Sequence, residues 1–263
     1  MNRARKPLIA GNWKMHHGGA SGVDLAIQVA RAAAVLPAVE AVVAPPFLAI
    51  PGVVREVTEI ASQHRCAPIG VAGQNVHHEP KGAFTGEIAA PMLVEAGCRW
   101  AIVGHSERRQ YFHEQDAEVA KKARAALSAG LGAIVCVGET LDERTSGRTL
   151  EVVLRQVDAV LDVLAGAGAR GVIAYEPVWA IGTGKVATPS DAQQVHEAIR
   201  ARLAGRSADL ASATRILYGG SVKPDNAREL LAQADLDGAL VGGASLDIQQ
   251  FGPILRAAQQ LAG

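Results

Sequence analysis

Gly171-Val172-Ile173-Ala174-Tyr175-Glu176-Pro177-Val178-Trp179-Ala180-Ile181-Gly182-Thr183-Gly184-Lys185 reads as an apolar strand that ends in a carboxylate and opens into a glycine-rich loop. Val172, Ile173 and Tyr175 suit a pleated strand. Pro177 lacks an N–H and restrains the residue before it, so the strand cannot pass smoothly into a helix. Glu176 is therefore predicted at a strand's C-terminal mouth, followed by Gly182 and Gly184, whose backbone can expose N–H groups to an anion. Two nucleotide-binding motifs come near and fail. The leading glycine of a Walker loop would fall at Trp179, and no Ser or Thr follows Lys185. The G-x-G-x-x-A match from Gly182 to Ala187 stands six residues beyond the strand, whereas a dinucleotide fingerprint follows its strand directly. An ordinary surface loop after an ion-paired strand-end Glu fits the same residues.

The strand is one of eight short apolar runs: Leu8 to Asn12, Ala41 to Ala44, Ile69 to Gln74, Ala101 to His105, Ala133 to Val137, Val172 to Glu176, Arg215 to Tyr218 and Ala239 to Val241. Helical patterns follow most of them, clearest in Asp116 to Ala129, Leu150 to Leu164, Pro189 to Leu203, Asp225 to Gln233 and Gln249 to Leu261. That alternation is the rhythm of βα units feeding a parallel sheet, and eight repeats suit a closed (β/α)8 barrel. A doubly wound open sheet uses the same crossovers and is the alternative. No linker divides the 263 residues, so residues 1–263 are expected to form a single α/β domain.

Composition narrows the function classes. Lys plus Arg and Asp plus Glu are 26 each, which leaves no overall field for nucleic acid or an anionic membrane and points to small-molecule partners. Residues of hydrophobic type make up 49% and aromatics only 4%, an interior of closely packed small and branched side chains. No apolar run approaches the roughly 20 residues of a membrane helix, and Pro7 to Ala10 is too short for a signal-peptide core, so a cytoplasmic protein is expected. Cys66, Cys98 and Cys136 are odd in number and lack C-x-x-C spacing, against both a disulfide framework and a zinc site. No metal and no cofactor is expected.

If the strands close, their C-terminal ends converge where barrel enzymes hold their chemistry. The residues delivered there are Asn12 and Lys14 after the first strand, His105 after the fourth, Glu176 after the sixth, and the pairs Gly219-Gly220 and Gly242-Gly243, with Ser221, after the seventh and eighth. A carboxylate can take a proton, an imidazole can polarise or relay, an ammonium can stabilise negative charge, and paired glycines can offer N–H groups to a phosphate. Read alone, His105 also suits a hydrogen-bonded core histidine and Lys14 a solvated surface lysine. A helix beginning at Ser106 would disfavour an imidazolium and keep His105 neutral.

Several motifs resemble the triosephosphate isomerase family, and the likeness runs from Ala10 to the C-terminus: Ala10-Gly11-Asn12-Trp13-Lys14-Met15, Gly73-Gln74-Asn75-Val76, Gly82-Ala83-Phe84-Thr85-Gly86-Glu87, Val103-Gly104-His105-Ser106-Glu107-Arg108-Arg109, the Tyr175 to Lys185 run, Tyr218-Gly219-Gly220-Ser221-Val222, and Val241-Gly242-Gly243-Ala244-Ser245-Leu246. The resemblance implies a TIM barrel that interconverts dihydroxyacetone phosphate and D-glyceraldehyde 3-phosphate through an enediolate, in glycolysis and gluconeogenesis. Glu176 would be the base, neutral His105 the hydrogen-bond donor to the substrate oxygens, and Lys14 with Asn12 the stabilisers of their charge. Glu107 would position Lys14, and Ser106 would hold Glu176 withdrawn before substrate binds. Gly182, Ser221, Gly242 and Gly243 would grip the phosphate, Ile181 would cap the base, and Tyr218 with Ser221 would latch the closed lid.

The resemblance also implies a homodimer in which the loop from Gln74 to Glu87, with Thr85 at its tip, enters the partner beside Lys14. One departure falls there: His16 stands where the family usually has Asn, and His17 follows it. Protonation at these two residues is expected to weaken the dimer. The same acid–base set would also serve a four-carbon ketose phosphate such as an erythrulose phosphate. A non-catalytic phospho-ligand-binding barrel is the remaining alternative.

Overall fold

The computed structural model describes residues 5–180 and 187–262. Its strands are β1 (Leu8–Asn12), β2 (Glu40–Ala44), β3 (Gly70–Gly73), β4 (Trp100–Val103), β5 (Gly132–Val137), β6 (Gly171–Tyr175), β7 (Arg215–Tyr218) and β8 (Gly238–Val241), paired in chain order and closed into a barrel. Every pair is parallel, and β1 pairs with both neighbours, Leu8 lying opposite Glu40 on one side and Gly238 on the other. Closure excludes the open doubly wound sheet.

Helices fill the crossovers. α1 (Ala20–Ala33) and α2 (Ile50–His64) follow β1 and β2, α3 (Ala90–Glu95) follows β3, and α4 (Ser106–Tyr111) and α5 (Asp116–Ser128) follow β4. α6 (Leu141–Thr145), α7 (Thr149–Asp158) and α8 (Leu161–Leu164) follow β5, α9 (Pro189–Arg206) and α10 (Ala208–Ala213) follow β6, α11 (Ala227–Leu231) follows β7, and α12 (Ile248–Ala262) follows β8. The helix expected over Leu150 to Leu164 is broken between α7 and α8, where Ala159 and Val160 form a turn. The helix expected from Asp225 starts later because Asn226 spends its side chain on a turn, accepting from the Lys223 N–H and donating to the Ser221 carbonyl.

Strand parity explains what reaches the mouth. Alternate residues point into the barrel, so Leu8, Ala10, Val172, Ala174 and Leu240 pack there together, while their neighbours Ile9, Ile173 and Val241 pack outward under the helices. Continued past the last packed layer, that inward register carries Asn12, Glu176 and Gly242 to the rim.

Three strands end earlier than the sequence led us to expect, β3 among them at Gly73, one residue before Gln74. β6 stops at Tyr175, one residue before Glu176, because Pro177 offers no N–H to extend the ladder. β4 stops at Val103, two residues before His105, because Gly104 takes a left-handed φ of 68°. The turn leaves His105 as the cap of α4.

His196 sits on the inner side of α9 with no solvent exposure. Its ring meets Tyr175 edge-on at 5.9 Å, its Nδ1 lies 3.3 Å from the Asp235 carbonyl, and its Nε2 has no hydrogen-bond partner among the described residues. Burial therefore pulls its pKa down to about 3.

Candidate active site

Glu176 is 2% exposed and held from two sides: its Oε1 is 2.9 Å from His105 Nε2, and its Oε2 accepts the Ser106 backbone N–H at 2.8 Å. Its own N–H donates to the Val137 carbonyl at 2.7 Å, which ties the residue to β5 as the strand ends. Room for the carboxylate arm depends on Gly219, where an added Cβ would stand 2.8 Å from Glu176 Cγ. Burial pushes the Glu176 carboxyl up, but His105, the Ser106 N–H and Lys14 outweigh it, so the group lies below the ordinary carboxylate range.

The ring of His105 caps α4, with Nδ1 accepting the Glu107 N–H at 3.3 Å. That bond requires a lone pair on Nδ1 and so describes a neutral ring with its proton on Nε2, facing Glu176. The direction of its proton affinity nevertheless corrects the sequence expectation. Burial opposes an imidazolium as anticipated, yet the Glu176 and Glu107 carboxylates favour it, and the net shift is upward. The reversal belongs to the contact with Glu176. When that carboxylate turns away, burial and the helix N-terminus both favour the neutral ring.

Lys14 takes a left-handed φ of 49°, a conformation that costs a non-glycine residue about 1 kcal/mol. Two bonds hold it there, and a third anchors the side chain that makes one of them. The Asn12 side chain accepts the Lys14 N–H at 3.0 Å, and the Gln74 amide donates to the carbonyls of Lys14 at 2.7 Å and Ala44 at 2.8 Å. Its ammonium then reaches Glu107 Oε1 at 2.6 Å. Both partners of this pair are partly exposed.

Asn12, Lys14, His105, Glu176, Ser221, Gly242 and Gly243 all line one cleft of about 510 Å³ at the C-terminal ends of the strands. His16 lines it too, at the outer edge, while His17 packs its ring against Trp13 at 6.0 Å. Tyr218 is wholly buried beneath this cleft, and its hydroxyl has no hydrogen-bond partner among the described residues. Thr85 lies apart from the cleft on the exposed stretch from Glu79 to Glu87. Ile181 and Gly182 fall outside the described residues, as do Gly184 and Lys185.

Reasoning from the sequence missed two contributors. Gln74 is one, although its place just past β3 is the kind of position that singled out Asn12. Glu139 is the other: it stands two residues past β5, is fully buried, and accepts the Tyr175 hydroxyl at 3.1 Å and the Trp179 indole N–H at 2.9 Å. Arg144 covers the Trp179 ring at 4.3 Å and donates to Asp191 at 3.1 Å. The chain leaving Glu176 is thus anchored to β5 and to the start of α9. Burial raises the Glu139 carboxyl, partly offset by the bonds from Trp179 and Tyr175.

Among the described residues no group of three or more His, Cys, Asp or Glu side chains could hold a metal ion, and no helix is long and apolar enough to cross a membrane.

A closed eight-stranded parallel barrel with a buried carboxylate, an imidazole and an ammonium gathered at its C-terminal mouth defines a (β/α)8-barrel enzyme equipped for acid–base chemistry. Residues 7–258 match the family model described as triosephosphate isomerase. Triosephosphate isomerases from Chloroflexus aurantiacus and Pseudomonas paraeruginosa are 51% and 52% identical to the chain over 249 and 256 residues, covering 94% and 97% of it and 97% and 99% of the relatives. The one from Moorella thermoacetica is 52% identical over 252 residues, 95% of this chain and 98% of that protein. The chain belongs to the triosephosphate isomerase family.

Proposed function

We propose that the chain interconverts dihydroxyacetone phosphate and D-glyceraldehyde 3-phosphate, as a cytoplasmic enzyme of glycolysis and gluconeogenesis, with Glu176 as the base. The observation that carries the reading is the buried contact of Glu176 with His105 Nε2 and the Ser106 N–H, at the rim where the inward register of β6 ends. In that position the carboxylate is stored, not acting. Turning from His105 and Ser106 toward a substrate removes the bonds that depress its proton affinity while burial, which raises it, remains.

Glu176 then takes a proton from the carbon beside the carbonyl, becoming the neutral acid, and the electron pair of the C–H bond forms the enediolate double bond. Neutral His105 donates through Nε2 to the oxygens on which negative charge grows, and Lys14 and Asn12 stabilise that charge. Glu176 returns the proton to the neighbouring carbon, so the enzyme ends as it began. Glu107 and Gln74 fix where Lys14 stands. Ser221, Gly242 and Gly243 bind the phosphate, and Gly182 is assigned a further N–H to it. The tether through Glu139, Trp179 and Arg144 fixes the chain that leaves Glu176.

A homodimer belongs to the same reading. Met15 is 94% exposed and Leu48 88%, and the loop bearing Phe84 and Thr85 stands free, an amount of apolar surface suited to a partner. Comparing kcat/KM for glyceraldehyde 3-phosphate with that for the erythrulose phosphates tests the reaction. A value for the triose near the diffusional ceiling of about 10⁸ M⁻¹s⁻¹ supports it. Preference for the four-carbon substrates keeps the mechanism and rejects the substrate, and turnover of neither rejects both.

A further inference from the structure

Arg109 stands one turn of α4 beyond His105, and its backbone N–H donates to the His105 carbonyl at 3.1 Å. Its guanidinium folds back onto the strand ends. Nε donates to the Gly104 carbonyl at 2.9 Å, Nη2 to the Cys136 carbonyl at 3.2 Å, and Nη1 to Asp116 Oδ1 at 2.6 Å. Gly104 and Cys136 are both buried, so their carbonyls need partners within the protein.

The place of this fork follows from how the ladder between β4 and β5 ends. The Gly132 N–H donates to the Arg99 carbonyl at 2.8 Å, and the register runs in step from there to Val103 opposite Val135. One step further, a parallel ladder would give the Cys136 carbonyl the N–H of His105. The left-handed turn at Gly104 ends the register first, and Arg109 supplies the donor instead. The guanidinium therefore joins the turn that presents His105 to β5. Glu176 is tied to the same strand one residue on, its N–H donating to the Val137 carbonyl at 2.7 Å. The base and the imidazole are thus both referenced to adjacent carbonyls of β5, and only the imidazole needs a side chain to make the link.

We propose that Arg109 is a positioning residue for the isomerisation, and that its fork across the Gly104 and Cys136 carbonyls sets where His105 Nε2 stands relative to Glu176 and the substrate oxygens. The proposal rests on the reading of His105 as the donor to those oxygens. Lysine is no substitute here, because an ammonium is a compact charge on a flexible stem, whereas the planar guanidinium holds both carbonyls and Asp116 in one geometry. His105 stabilises charge that grows only toward the transition state, so a displaced ring slows the chemical step and leaves ground-state binding little changed.

Arg109→Met and Arg109→Lys test the assignment beside Asp116→Asn, which removes the ion pair and keeps the two carbonyl bonds; Arg109→Lys carries the test if Arg109→Met does not fold. In the Arg109 variants kcat for glyceraldehyde 3-phosphate should fall at least about tenfold with KM within about threefold of the parent, the pattern of a contact made only in the transition state. Asp116→Asn should stay within about threefold of the parent in both constants. A second readout needs no substrate: in isotope-labelled protein the His105 ring nitrogen signals, identified by their loss in His105→Gln, should move in the Arg109 variants and hold in Asp116→Asn. A melting temperature lowered in the Arg109 variants with kcat and the His105 signals unchanged would overturn the proposal and leave Arg109 a purely structural residue. Equal losses of kcat in Asp116→Asn and Arg109→Lys would also overturn it, by placing the effect in the ion pair. A parent inactive on the triose would reject the reaction instead, and the His105 signals would then decide the position of the ring by themselves.

Discussion

Lowering the pH should destabilise this protein through His196 before most of its carboxylates are protonated. The imidazole is fully buried, and burial depresses its pKa to about 3, against an ordinary value of about 6.5 in an unfolded chain. Protons therefore bind the unfolded state more readily. The stability contributed by keeping this ring neutral is fully present above pH 6.5 and is lost progressively as the pH falls toward 3. At pH 5 an unfolded histidine is almost entirely protonated and the folded one hardly at all, which works out to a loss of about 2 kcal/mol per subunit relative to pH 8. The full gap between the two pKa values corresponds to roughly 5 kcal/mol. A His196→Gln variant keeps an N–H able to meet the Asp235 carbonyl but has nothing to protonate. Urea unfolding of both proteins at pH 8 and pH 5, at one protomer concentration, gives the double difference in which the other titrating groups cancel. The parent should lose about 2 kcal/mol more than the variant across that interval. Parallel losses in the two proteins would refute the reasoning and would mean that the ring reaches solvent or a carboxylate in solution.

Glu176→Gln should lower turnover by about 10² to 10⁴ while leaving inorganic phosphate inhibition nearly unchanged, because the amide keeps the shape and loses the base. Near-normal turnover would remove Glu176 from that role. Gln74→Leu deletes the donor that holds the Lys14 and Ala44 carbonyls, and should lower kcat/KM about tenfold, with fold stability measured in parallel by thermal unfolding. Glu139→Leu removes the buried acceptor of the Tyr175 hydroxyl and Trp179 indole, at a cost of about 1–3 kcal/mol, and should shift the Trp179 emission. Sedimentation at pH 8 and pH 5.5 should show a weaker dimer at the lower pH if His16 and His17 face the partner, and equal dissociation constants would exclude their part.

Much of the architecture is carried by local signals that need no partner to be read. The alternation of short β-branched runs with amphipathic stretches comes from side-chain periodicity along each segment, and the places of Asn12 at a strand end and of Glu176 and His105 one and two residues past theirs follow from where each run meets proline, glycine or a polar residue. The residue types then indicate which chemistry is available. What the chain in isolation left open depends on distances between segments far apart in sequence. Closure of the sheet rests on the pairing of β1 with β8, the first strand with the last. The upward shift of His105, opposite to the one anticipated from its helix terminus, arises against burial chiefly because the Glu176 carboxylate comes to 2.9 Å from its ring, with Glu107 adding to it. Gln74 and Glu139 gained roles through a backbone conformation at Lys14 and an indole at Trp179 that lie on other βα units. Periodicity is a property of neighbours along the chain and is therefore written in the sequence, whereas proton affinity and hydrogen-bond satisfaction are set by burial and by charges across space, which only the folded barrel brings together.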